Sequence, residues 1–351
     1  MINTIIVGIL ALTLALFFSW GFRVLPREQW QIMAFVPKMK LQNGLWQCRN
    51  LTWYGFFCAF AAVRAAAILI VLLRSIDIPL SVIVMLGSIL FLILAPASMI
   101  IARLVENKPH TRTIGGAFFA VILSSPWVTL AISKITYAWM GFHLAVMPVL
   151  AAFTIAYAFG EGLGRVACIS FGCCYGSPLD DSHPLLKRLF HRFHFVFSGA
   201  TKKISYEGNL EGVKVIPIQA VTSIIFSFAG LAGLFLFLNS LYTTAFITTL
   251  VITQLWRAAS EFLRTDYRGD HSISAYQKMA LLAVAYGICI MMYFGSPDGT
   301  KIPDIIAGIH SLWHPGIILF LELLWVVAFL FTGRSDVTGS EASVFVLKDK
   351  I

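Results

Sequence analysis

Charge is what this sequence has least of: 12% of its 351 residues are Asp, Glu, Lys or Arg, and only 17 are acidic. A soluble chain of this length would fold as about two domains and cover them with ionised side chains. So small an inventory excludes an ordinary soluble protein, and with it disorder and a coiled coil. Internal repeats and low-complexity tracts are also missing. The first apolar run, Ile2 to Trp20, has no basic residue before it and no small-x-small cleavage site after it. It therefore reads as a retained anchor helix and not as a removed signal peptide.

What the chain has in abundance is apolar length. Hydrophobic residues make up 58% of it, and the mean hydropathy is +0.82. A helix needs about 20 residues at 1.5 Å each to cross the hydrocarbon core. Nine stretches qualify, near 2–20, 54–73, 78–102, 114–133, 141–163, 217–239, 242–263, 277–295 and 315–332. Lipid leaves backbone groups no partner outside their own segment, so the expected fold is all-α, a polytopic helical bundle of about nine transmembrane helices. The polar island from Gly176 to Val215 carries Lys187, Arg188, Arg192, Lys202 and Lys203 and is expected to form a small ordered head outside the membrane.

If the nine spans alternate in direction, segments 20–53, 103–113, 164–216, 264–276 and 333–351 share one side and hold 20 of the 26 Lys and Arg residues. Scattered loop cations commonly snorkel to headgroups. Arginines inside or at the ends of spans need another account, because a charge at that depth is costly without a partner. Arg165 follows a glycine-rich run, Gly160-Glu161-Gly162-Leu163-Gly164, which suggests a short irregular segment lining a cavity. Arg257, Glu261 and Arg264 fall within about 60° of one another on a helix. They form either an ion-pair ladder between helices or a site for an anion, and the net positive charge favours the anion. Thr52-Trp53-Tyr54-Gly55 suits an interfacial aromatic belt, and Gly115-Gly116 suits tight helix packing.

Taken in order, these elements resemble the prolipoprotein diacylglyceryl transferases, bacterial integral membrane enzymes. Trp53-Tyr54-Gly55 matches a Trp-Tyr-Gly element, Gly115-Gly116 the glycines of a His-Gly-Gly element, and Gly164-Arg165 the start of the main signature. Pro217-Ile218-Gln219 matches a Pro-x-Gln element, and Arg257, Glu261 and Arg264 match Arg-x3-Glu-x2-Arg. Ile273 to Gln277 is similar to the family's entry into its final span. The resemblance runs from about residue 50 to 296, with an additional span and loop at 1–50, a head insert at about 176–216 and a further helix and tail at 297–351. It implies transfer of a diacylglyceryl group from phosphatidylglycerol, or another anionic phospholipid, to a cysteine thiol in a prolipoprotein signal peptide. Arg165 and Arg257 would stabilise the phosphate leaving group, and Glu261 would orient Arg257 or accept the thiol proton. Tyr54, Gly115, Gly116, Gly164, Gln219 and Arg264 would shape the headgroup pocket. Ile114 stands where the family has histidine, with His110 the nearest substitute, and Cys168 and Phe171-Gly172-Cys173 replace the usual asparagine and Asn-Gly-Glu stretch.

Cys168, Cys173 and Cys174 crowd the Arg165 signature. Their spacing fits no zinc motif, so they read first as small apolar lining, with a thiol nucleophile or soft-metal site as the alternatives. No cofactor, metal or nucleic-acid partner is expected. A non-catalytic lipid-binding or scaffolding homologue, and a transferase with a different acceptor, are the competing readings. An anion transporter ranks below them, because the polar clusters gather at one side instead of the midplane. The positive-inside rule alone would put the basic face in the cytoplasm. The family order places it on the periplasmic side of the bacterial inner membrane, where basic residues serve an anionic-lipid site. Reporter fusions at Thr201 and Lys134 check this orientation: Thr201 is expected to report from the periplasm, and a cytoplasmic signal there would reverse it.

Overall fold

The computed structural model describes residues 2–106, 113–265, 273–295 and 301–351. After α1 (Ile2–Val24) the chain makes two strands, β1 (Ile32–Lys40) and β2 (Trp46–Thr52), then α2 (Trp53–Ser75), α3 (Leu80–Glu106), α4 (Ile114–Met140) and α5 (Val146–Phe171). The head contains α6 (Pro184–Phe190), β3 (Phe195–Val196), α7 (Lys203–Tyr206) and β4 (Lys214–Val215). The bundle resumes with α8 (Ile218–Leu238), α9 (Tyr242–Ser260), α10 (Ala275–Phe294), the short α11 (Ile305–Ser311) and α12 (Pro315–Thr332), and the tail forms β5 (Arg334–Ala342).

Eight of these helices are long and apolar enough to cross a membrane. The ninth expected span is α9, where Thr243, Thr244, Thr248, Thr249, Thr253 and Gln254 dilute the hydropathy. Its 19 residues still cover about 28 Å, and it packs against α5, α8 and α10. Thr249 and Thr253 are fully buried there: Thr253 Oγ1 donates to the Thr249 carbonyl at 2.8 Å within the helix, and Thr249 Oγ1 to the Ala229 carbonyl of α8 at 3.4 Å.

The bundle is organised around α5, the most deeply buried span. Its inward positions are small, including Ala151, Ala152, Ala156, Ala158, Gly162 and Ala167, which lets α2 and α8 approach closely. A Cβ on Gly162 would meet the Ser227 hydroxyl of α8 at 2.9 Å. The outer helices invert this pattern. On α12, Leu319, Leu323, Val327 and Phe331 recur every fourth residue and are all exposed, as a lipid-facing ridge requires. The N-terminal end of α2 docks against the C-terminal end of α12 where Thr52 N–H and Oγ1 both donate to the Gly333 carbonyl.

The sequence pattern did not show the sheet. β2 lies between β1 and β5, and both pairings are antiparallel. One partner comes from the far end of the chain, which no local alternation reveals. The head is ordered, as expected, around Phe195, Phe197, Ile204, Val215 and Ile216. A lysine latches it to the bundle: the fully buried Lys202 Nζ donates to the Leu25 carbonyl at 3.0 Å and the Ser170 carbonyl at 2.8 Å. Gln31 Nε2 also donates to the Ser170 carbonyl, at 2.9 Å. These are carbonyls that a helix C-terminus leaves without an internal partner.

Burial lowers the Lys202 ammonium from 10.5 to about 8. The unfolded chain keeps that proton up to the ordinary lysine value, so unfolding takes up a proton between about pH 8 and 10.5. Stability therefore rises with pH through that window, by at most about 1.4 kcal/mol per pH unit. Thermal unfolding in detergent from pH 8 to 10 is expected to show this rise and Lys202→Met to flatten it; an unchanged slope in the variant would remove Lys202 as its cause.

Candidate functional site

One face of α5 carries the polar chemistry. Tyr157, Glu161, Arg165 and Cys168 are spaced by four, four and three residues, so they form a single stripe along the helix. Contrary to the irregular segment expected around Gly160–Gly164, α5 is regular from Val146 to Phe171. The glycines there admit neighbouring helices, and a Cβ on Gly164 itself would only reach the Ala61 methyl at 3.9 Å, an ordinary contact.

Glu161 is the centre of the cluster. Its side chain is 3% exposed, and Oε1 accepts a hydrogen bond from Arg165 Nη2 on the same helix. The same oxygen lies 3.8 Å from Arg257 Nη1 on α9. Arg257 Nη1 also donates to the Tyr157 hydroxyl at 2.7 Å, and the Tyr157 ring stacks on Phe118 with centroids 3.6 Å apart. Gly115, at the start of α4, makes room for this guanidinium: a Cβ there would sit 2.3 Å from Arg257 Nη2. Gly116 serves packing instead, facing Ile101 and the N-cap Thr113.

The second acid–base pair lies further out. α9 ends at Ser260, and Glu261–Leu263 tighten into a 3₁₀ turn with Arg264 in extended conformation. The continuous Arg257, Glu261, Arg264 stripe expected from helical spacing is thereby broken. Glu261 Oε1 lies 3.7 Å from Arg264 Nη1, while the carboxylate next to Arg257 is Glu161. The role foreseen for Glu261, orienting Arg257, falls geometrically to Glu161. The signal was present in the sequence, since Glu161 precedes Arg165 by four residues, but Glu261 stands at the same distance from Arg257.

Arg165, Arg264, Cys174, Gln219, Thr222, Ser260 and Ile218 line one small cleft. Gln219 Nε2 donates to the Cys173 carbonyl at 2.9 Å. Arg165 Nε, Arg257 Nε and Gln219 Oε1 are buried and have no hydrogen-bond partner among the described residues. Two buried guanidinium groups beside a single carboxylate have the chemistry to bind an anion. Tyr54 packs its ring on Phe171, with centroids 5.3 Å apart. Ile114 is 60% exposed, and His110 lies outside the described residues.

The family model for prolipoprotein diacylglyceryl transferase matches residues 45–293, leaving α1, β1 and everything from α11 to the tail outside the match. No curated protein matches the chain.

Removing the charge of Glu161 strands two buried guanidiniums, whereas Glu261 has one close partner. Glu161→Gln is expected to cost about 3–5 kcal/mol of stability and Glu261→Gln distinctly less, as measured by thermal unfolding in detergent. Equal losses would show that Glu161 is not the shared counter-charge.

Proposed function

The chain belongs to the prolipoprotein diacylglyceryl transferase family, and we propose that it transfers the diacylglyceryl group of phosphatidylglycerol to a cysteine thiol of a lipoprotein signal peptide. The observation that carries this reading is the buried Glu161, Arg165, Arg257 cluster with its two unpartnered Nε–H donors. In the reaction the sulfur bonds to the terminal glycerol carbon, the bond from that carbon to the phosphate oxygen breaks, and the electron pair leaves with glycerol phosphate. Negative charge accumulates on the phosphate, so fixed cations in a water-poor site stabilise the transition state more than the ground state.

The roles follow from position. Arg165 and Arg257 hold the phosphate, each with a donor to spare. Glu161 and Tyr157 fix the guanidinium planes and keep the two cations from repelling one another apart. Arg264 and Glu261 form the outer wall with Gln219, while Gly115 lets α4 close over Arg257 and Gly116 packs on Ile101. The site lies at the basic end of the bundle, which we assign to the periplasmic face of the bacterial inner membrane, where anionic headgroups collect at cationic surfaces. A lipid-binding homologue without the transfer step is the second reading, and the apolar, exposed Ile114 in place of the family histidine favours it.

Purified protein is expected to release glycerol phosphate from phosphatidylglycerol vesicles only when a cysteine-containing signal peptide is present. Arg165→Ala and Arg257→Ala should each lower the rate by about 10²–10³-fold, and the wild-type gene should complement cells depleted of their own diacylglyceryl transferase. Binding of the vesicles without turnover by the wild type would select the second reading.

A further inference from the structure

Three cysteines remain that the proposed reaction does not use. The sequence scatters them at 168, 173 and 174, but the end of α5 folds them together. Gly172 adopts a left-handed conformation at φ 69°, and its N–H and that of Cys173 bond back to the Ile169 and Cys168 carbonyls at 3.3 and 3.1 Å. In such a helix stop, the residue after the glycine returns over the one five positions earlier. Cys173 and Cys174 therefore fold back onto Cys168, and the three Sγ atoms all lie within 4.8 Å of one another. Cys174 itself takes a left-handed backbone at φ 55°, which costs a non-glycine residue about 1–2 kcal/mol. Strain of this kind persists where surrounding structure holds it, and here Gln219 anchors the turn through the Cys173 carbonyl.

Apolar lining would not need three thiols in one place. A disulfide between Cys173 and Cys174 is disfavoured by the geometry of adjacent residues. A covalent carrier role fails on chemistry: a glyceryl group taken by one of these sulfurs would form a thioether, whose carbon–sulfur bond does not offer a leaving group for a second transfer. Three sulfurs converging on a point are, however, the donor set of a soft d¹⁰ cation. Bonds of about 2.3 Å to tetrahedral zinc set sulfurs roughly 3.8 Å apart, within reach of small side-chain rotations from the observed separations.

We infer that Cys168, Cys173 and Cys174 form a three-thiolate zinc site whose open fourth position binds the acceptor thiol. The metal site stands on the geometry alone; the identity of the fourth ligand rests on the transferase reading above. Three thiolates on a divalent ion leave one negative charge, and a fourth adds another. Arg165 and Arg264 line the same cleft as Cys174 and supply the compensating positive charge. A thiol bound to zinc is deprotonated outright, which answers how this chain makes a thiolate without the family's histidine. The bound sulfur forms its bond to the glycerol carbon as the carbon–oxygen bond breaks, and the phosphate oxygen takes the electron pair. The proton lost by the thiol ends on the departing glycerol phosphate, and the neutral thioether product, a weaker ligand than a thiolate, leaves the metal.

The test uses the full chain purified in detergent without chelators. Elemental analysis is expected to find about one zinc per chain, and Co²⁺ loading to give an intense near-ultraviolet sulfur-to-metal charge-transfer band. Cys168→Ser, Cys173→Ser and Cys174→Ser should each lose zinc at least tenfold, with Cys289→Ser, at an exposed site, as the control. Absence of zinc and of the charge-transfer band in the wild type, or unchanged zinc in all three variants, would overturn the site; the wild-type Co²⁺ titration decides even where a variant fails to fold. A signal peptide with its cysteine should shift the Co²⁺ spectrum, and its serine analogue should not. A cobalt band that neither peptide shifts would overturn the acceptor position. A shift with the cysteine peptide in a chain that then transfers no lipid would uphold the site and reject the transferase reading.

Discussion

A single carboxylate sets the terms for the polar end of this bundle. Glu161 lies on the most buried helix, in surroundings where an ionised group without a partner is untenable. Arg165 meets it from one turn further along α5, and Arg257 meets it from α9. That contact fixes the rotation of α9 against α5. Once Arg257 is so placed, the helix crossing it can carry no side chain at Gly115, and Tyr157 must turn its hydroxyl toward the guanidinium. The Nε donors of the two guanidiniums stay outside these pairings.

The same helix ends in a way that serves the site. The turn at Gly172 brings three thiols beside the arginines, and the carbonyls left open at the helix end become the attachment point for the head through Lys202 and Gln31. Fold stability and site geometry therefore share atoms: Ser170 holds the head two residues before the turn that positions Cys173 and Cys174. The lipid-facing helices contribute little to this end. On α12 the exposed ridge is apolar at Leu319, Leu323, Val327 and Phe331, with Glu322 as a charged exception, while α5, α8 and α9 pack directly on one another.

Much of this was legible in the chain. Apolar length placed the spans, because lipid imposes a minimum length and forbids unpaired backbone, but it ended α4 and α5 too early, and α5 runs on to Phe171. Arg257 stood out as a charge inside such a run, and Arg165 as one at the end of another. Glu161 did not, since helical spacing offered Arg257 a nearer acid in Glu261, and only the end of α9 at Ser260 shows that the helix does not continue to carry it. Tyr157 was hidden for a related reason: an aromatic in an apolar span reads as packing until a guanidinium is found on its hydroxyl. The three-stranded sheet was illegible, because β5 reaches β2 from the opposite end of the chain.

By itself, then, the sequence determined that this is a polytopic helical protein with its cations gathered toward one side and with the motif order of its family. Those properties depend on composition and on distances along one helix, which local physics governs. Tertiary structure decided which acid serves which arginine, why Gly115 must be a glycine, and that three cysteines of unpromising spacing share one point. Each is a contact between helices, or across a helix end, and its energy is paid in desolvation and close packing that no single segment contains.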